Sequence, residues 1–485
     1  MPILAALLVL ALLGIVAALA LGGSDDDEKT AASADGGAFD GTVYLMAHEQ
    51  APGQNAVYAY QYGDGRVSPV RLRQYPTGGT GAIDVTDTTF VDADQQVWTD
   101  EDKGFLFVTN QGSDTVAVFR IADDGALTPV PGSPFPSRGT APVSVGVSGN
   151  TVAVAHKAVD GVRDLKGKRP SLTTFRLEDD GRLTPTGRPL EMGEGQTPTQ
   201  AWVTRNGKQA IVSDLLKGNY FTFELRDDNT ARQASVELVN DEQRAQGIPL
   251  TGPPPPVASG QRGGPPPPKP QDGGGPPARA DGGGQGGGGQ GGDGPPDGGG
   301  QGGPPPDGGD GGAPAPMGPL GAQGLVGHPK EPILYSTFSG ESALAVHEYD
   351  ERGTLKFVRG VPVRGGFLIC WTDVSPDGRF LYAGITYSNS IAVFDLKDPR
   401  NPRPIQLVRM RGPGNAVNVR VEPEGGTLFA VSGRFTTVDP GGTGNFLHTL
   451  DIGPDGRVKE QPTSPVQVPV GMDGQAVGLA VVPRR

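Results

Sequence analysis

The sequence predicts an all-β fold: a seven-bladed β-propeller closed by its C-terminal strand and interrupted by a long disordered Gly/Pro-rich insertion. Three observations predict it. A strand–turn–strand unit recurs seven times, mostly 46 to 62 residues apart. The chain ends in an orphan strand, and the first copy of the unit lacks one. A single glycine- and proline-rich tract separates the fourth copy from the fifth.

The unit is clearest in FLFVTNQGSDTVAVFRIADDGALTPVPGSPFP, Phe105 to Pro136. Phe105–Asn110 alternates and ends in polar residues, and Thr115–Ile121 is β-branched and aromatic with period two. Asp124-Gly125 is a tight hairpin turn, and Leu127–Val130 is a short edge strand. Strands this short cannot bury their apolar faces alone, so copies must stack. The first strand of the unit recurs as Val43–His48, Thr151–His156, Gln209–Asp214, Ile333–Phe338, Phe380–Ile385 and Thr427–Ser432. Outer turns repeat the same chemistry at Asp64-Gly65, Asp180-Gly181, Arg352-Gly353 and Asp455-Gly456. Pairing the orphan Ala476–Val482 with Val43–His48 completes the first blade and removes the open edge of the ring.

Flanking segments set the organisation. Ile3 to Leu21 is apolar apart from glycine, so residues 1–23 read as a signal peptide or a membrane anchor, and the sequence leaves those two open. No cysteine follows the run, which excludes a lipoprotein anchor. Residues 24–40 read as a flexible acidic spacer, 41–246 as blades one to four, 247–320 as the disordered insertion, and 321–485 as blades five to seven with the closing strand. The propeller is expected to be exported: periplasmic, at the cell surface or secreted.

Composition excludes some functions. The net charge of −13 argues against nucleic-acid binding, which needs a basic footprint. Cys370 is the only cysteine, which rules out an intrachain disulfide or a CxxC redox site, and its apolar surroundings read as core. No GxSxG, HExxH, P-loop or EF-hand run is present. Asp92-Ala-Asp94 and Asp100-Glu-Asp102 read as exposed turn acids. Tyr58, Tyr60 and Tyr62 share a strand face and read as packing between blades. Trp98, Trp202 and Trp371 fall at matching inner-strand places.

The segments LFVTNQGSDTVAVFRI, GRLTPTG and VSPDGRFLYAGITYSNSIAVFDL resemble the lactonase family of seven-bladed propellers, which includes 6-phosphogluconolactonase-like and carboxymuconate-cyclase-like proteins. The resemblance covers about residues 41 to 482 without the tract. It implies the propeller, and it implies a catalytic site that this chain departs from. Active members carry a histidine ahead of the fourth blade's inner strand; the matching run, Thr197 to Gly207, has Thr199 there. The family's GPRH is Gly321-Ala-Gln-Gly324, with Gln323 at the arginine. Its NE pair is Phe338-Ser339, and its NRG is Ile385-Thr386-Tyr387. These four changes remove the proton-transfer group and the cations that would hold a carboxylate or phosphate. The expectation is therefore a monomeric binding or interaction module for a protein or small molecule, without a cofactor. A lactone hydrolase or cyclase with a rearranged site is the alternative.

One further pattern offers a ligand site. The last residue of the repeated strand is His48, Asn110, His156 and Asp214 in blades one to four, with Lys157 following His156. In blades five to seven it is Phe338, Ile385 and Ser432. Ring geometry puts the polar set on one side of the mouth. Two histidines and an aspartate have the chemistry of a transition-metal or polar-ligand site; the plainer expectation is that each side chain closes its own turn, with no metal bound.

Overall fold

A computed structural model describes residues 39–82, 93–159, 163–237, 321–340, 342–434, 444–471 and 474–485. The N-terminal apolar run, nearly all of the acidic spacer and the Gly/Pro insertion lie outside them. The described chain forms seven antiparallel sheets, each with a four-stranded path, and two sheets carry one extra short strand. This is the predicted seven-bladed propeller.

Each blade runs from an inner strand to an outer one. The inner strands are Val477–Pro483, Val97–Asp100, Pro142–Ser148, Pro198–Val203, Ala322–Gly327, Ile369–Val374 and Asn415–Val421. The second strands are Gly41–Met46, Phe105–Asn110, Thr151–His156, Gln209–Asp214, Ile333–Phe338, Phe380–Ile385 and Thr427–Gly433, and every residue in them is buried. A second strand has a blade packed against each of its faces, so its sequence is nearly continuously apolar. Outer strands such as Leu183–Glu191 have one free edge and are half exposed.

The outer hairpins pack onto the preceding blade as well as turning the chain. Gly125 has φ +73°, and a Cβ there would lie 2.0 Å from Thr42 Oγ1 in the first blade. Tyr44 of that blade donates to the Gly125 carbonyl at 2.8 Å. A turn residue with a side chain would lose both the conformation and the contact.

Closure follows the predicted pairing. Gly41 faces Pro483, Thr42 faces Val482 and Leu45 faces Leu479, with a bulge before Met46. The tyrosines at 58, 60 and 62 are buried. Tyr62 lies 5.1 Å from Phe429 of the seventh blade, and Tyr58 donates to the Pro469 carbonyl at 2.8 Å.

Inner strands begin, and second strands end, on one face of the disc, called upper here. Hairpins between inner and second strands lie on the lower face. Every internal stretch outside the described residues joins strand ends on the upper face.

Candidate functional site

The ring axis is crossed by a stretch of chain rather than left open. Residues 93–96 precede the second blade's inner strand and bond around the ring. Asp94 N donates to Thr199 O of the fourth blade at 3.0 Å, Val145 N of the third donates to Gln95 O at 3.0 Å, and Thr109 N donates to Gln96 O at 3.0 Å. From the seventh blade, Arg420 Nη2 reaches Asp94 Oδ1 at 2.5 Å, and Asn418 Nδ2 donates to the same oxygen at 3.1 Å. Asp94 is thus a 1 % exposed member of an ion pair and not the exposed turn acid its sequence context implies. Ring closure brings Arg420 to it.

Asp373 of the sixth blade completes this centre. It accepts from Val374 N at 2.9 Å and Val421 N at 2.8 Å. Burial raises its pKa, and the Arg420 charge and those two bonds oppose the rise. The fourth and fifth blades meet beside it through Gln200, whose Nε2 donates to Gln95 Oε1 and Leu325 O, each at 2.9 Å.

The four positions where lactonase-like sequences carry catalytic groups do come together, as a buried belt across blades four to seven. Thr199 Oγ1 is 2.9 Å from Ser213 Oγ and 3.0 Å from Gln323 O. Ser339 Oγ donates to Gln323 Oε1 and lies 2.8 Å from Ile369 O. Thr386 Oγ1 is 3.0 Å from Cys370 Sγ and 2.9 Å from Ala416 O. None of the four is more than 2 % exposed. Hydroxyls and an amide cannot exchange protons near neutral pH as a histidine does, and none carries the charge that would hold an anion. Gln323 Nε2 is the belt's one buried polar atom without a partner among the described residues.

The upper-rim residues are not gathered into one site. Asn110 Oδ1 accepts from Asn55 at 2.8 Å and Thr77 at 2.7 Å, and its Nδ2 donates to Thr115 at 3.0 Å, tying blades one and two. Asp214 accepts from Thr197 N at 2.6 Å and Thr197 Oγ1 at 2.9 Å, closing its own turn. Burial raises the Asp214 pKa against those bonds. His48 and His156 are fully buried. Burial, then the nearby Lys157 charge, lowers the His48 pKa to about 3, and burial lowers that of His156 to about 4. Both are neutral imidazoles at physiological pH. His156 Nδ1 lies 3.3 Å from Ser171 O. Its Nε2 and both ring nitrogens of His48 have no partner among the described residues. Lys157 is 1 % exposed beside them. No group of three His, Cys, Asp or Glu residues placed for a metal occurs among the described residues.

Sequence reasoning missed a relay in the seventh blade. Ser432 Oγ is 2.7 Å from His448 Nε2, and His448 Nδ1 is 2.8 Å from Glu460 Oε1. This is the order of a nucleophile, a base and an orienting acid, but Ser432 has no exposed surface to meet a substrate. Its hydroxyl also donates to Asn389 Oδ1 of the sixth blade at 2.7 Å, which uses the serine's one proton. The relay is a tie across the sheet. The signal for it was His448 at a buried position of the third strand, Phe446–Ile452, between Leu447 and Leu450.

Glu460 gives this tie a pH dependence. Burial pushes its pKa up, but the His448 contact, the Arg411 N–H at 2.7 Å and the Ser464 hydroxyl at 2.8 Å hold it down to about 2. Its folded pKa lies below the ordinary 4.5, so it stabilises the fold above that pH and loses the contribution as pH falls from 4.5 towards 2. Glu460→Gln is predicted to flatten the fall of melting temperature across that window relative to wild type. Parallel melting curves for the two proteins would contradict it.

No protein-family model matches the sequence, and no curated protein matches it. Solved structures do match. A putative 6-phosphogluconolactonase from Bacteroides fragilis is 12 % identical, with TM-score 0.55 over 92 % of this chain and 100 % of that one. The periplasmic gluconolactonase of Pseudomonas aeruginosa is 14 % identical, with TM-score 0.55 over 92 % and 100 %. A hypothetical selenium-binding protein from Sulfolobus tokodaii is 9 % identical, with TM-score 0.57 over 93 % and 95 %. Likeness at such low identity carries the fold and leaves the chemistry to the residues. The chain has the seven-bladed propeller fold of 6-phosphogluconolactonase-like proteins.

Proposed function

We propose that this chain is a binding or interaction module built on a lactonase-like propeller, exported and monomeric, that engages a protein or small molecule. The observation that carries the reading is the buried belt of Thr199, Gln323, Ser339 and Thr386. Positions that serve catalysis in the resembling family are here spent on joining four blades. All five histidines of the chain are at most 4 % exposed, so none is placed as a solvent-facing acid or base. A rigid ring with loops on its faces needs no catalytic group in order to bind. The apolar run Ile3–Leu21 supports a place outside the cytoplasm.

The test is a panel of sugar lactones offered to the purified protein. Hydrolysis of gluconolactone and 6-phosphogluconolactone no faster than in buffer is expected. Turnover that disappears in Gln323→Ala would overturn the reading in favour of a lactonase with a rearranged site.

A further inference from the structure

The lower face holds a cleft of about 210 Å³ where blades two, three and four meet the axis. Its walls include Trp98, Trp202, Val147 and Val203, with Gln95 at the buried end and Arg205 at the exposed end. It lies on the opposite face from the start of the inner strands, near which the belt lies.

The aromatic walls are held in place. Gly327 lies against the Trp202 indole, where a Cβ would come within 2.2 Å of the ring. Tyr349 meets the same indole edge-on at 5.7 Å. Trp98 packs on the core that contains Phe107, Val145 and Val152. Trp371, by contrast, is 1 % exposed and belongs to another core. Gln95 is fixed through its Oε1 by Gln200 and holds a left-handed backbone, φ 59°.

The chemistry of the lining selects one class of ligand. In a chain of net charge −13, the cleft is lined by one cation and no carboxylate. No ion pair or hydrogen bond holds the Arg205 guanidinium among the described residues. A guanidinium fork matches a carboxylate in geometry as well as charge. Two indoles stack best on a flat ring. A sugar ring is disfavoured because the hydroxyls in the lining are already engaged. The Ser148 Oγ proton goes to Gly207 O at 2.7 Å, and Thr204 Oγ1 is tied to Asn206 at 2.8 Å and Gln209 at 3.0 Å. A cavity of roughly 150 Å³ accommodates benzene, so this one has room for the ring and its carboxylate.

We propose that this cleft binds a small aromatic carboxylate, with the ring against Trp98 and Trp202 and the carboxylate on Arg205. The inference deepens the binding role proposed above by naming a ligand class, and its test is separate from the lactone assay because the cleft and the belt lie on opposite faces. The full chain labelled with fluorotryptophan gives one ¹⁹F resonance for each of its three tryptophans. Benzoate should shift two of them saturably and leave Trp371 in place. Arg205→Gln, a change in an exposed turn, should weaken benzoate at least tenfold at unchanged melting temperature. Glucuronate and benzyl alcohol should also bind at least tenfold more weakly than benzoate. Resonances unmoved by millimolar benzoate, equal affinity in Arg205→Gln, or glucuronate binding as well as benzoate would each overturn the assignment.

Discussion

A chain truncated before Gln475 should fail to give a soluble, cooperatively melting protein. The lost segment contains the inner strand of the first blade, and Val477, Leu479, Val481 and Val482 in it are all at most 7 % exposed. At roughly 1.5–3 kcal/mol for each fully buried aliphatic side chain, their burial contributes about 6–12 kcal/mol. That is on the scale of a whole domain's stability, about 5–15 kcal/mol. The deletion also strips the inner edge of Gly41–Met46 and leaves the seventh blade's inner face without its neighbour, two edges open to aggregation. Leu479→Ala gives a graded form of the experiment: the residue is fully buried, and its loss should cost about 2–5 kcal/mol. Calorimetry or thermal melting decides it. A truncated protein melting at the wild-type temperature would mean the ring does not depend on this strand.

Arg420→Ala should be among the most damaging single substitutions in the chain. It leaves the carboxylates of Asp94 and Asp373 buried without their shared cation, and breaking a buried pair from one side costs about 3–5 kcal/mol. The effect should be local first, because Arg420 and Asn418 of the seventh blade both hold Asp94 in the stretch 93–96. Removing the Asp94 and Arg420 charges together by Asp94→Asn with Arg420→Gln keeps most of the volume and should recover the part of the loss that falls on Asp94, while Asp373 still lacks its cation. Urea unfolding of the two single variants and the double variant measures this as a coupling energy. Additive losses, with no coupling, would show that the pair does not act as a unit.

These two expectations differ in how readily they could be read from residues alone. Blades are legible because their signals are local: period-two strands, Asp-Gly turns and a count of copies. Closure is legible by subtraction, since Gly41–Met46 needed a neighbour and Val477–Pro483 had none. The axis was not legible. Asp94 sits in DADQQ, which looks like a polar loop, and its partner Arg420 lies 326 residues away. Only the assembled ring places them together. The belt was half legible, because resemblance located Thr199, Gln323, Ser339 and Thr386, while the bonds among them depend on how neighbouring inner strands align. Ser432 was grouped with Phe338 and Ile385 by position, and only the structure joins it to His448. The cleft escaped for a similar reason. By sequence Trp98, Trp202 and Trp371 fall at matching inner-strand places, yet the ring leaves the first two half-buried at the cleft and encloses Trp371.

The strand directions also give the disc an orientation relative to anything that holds it. Arg484 N donates to Asp40 O at 2.7 Å where the chain enters and leaves the ring, on the lower face. Glu237 and Gly321, which bracket the Gly/Pro stretch, lie on the upper face. A molecule held from the Asp40 side would therefore turn the tryptophan cleft towards what holds it, with the strand ends at Glu237 and Gly321 on the far face.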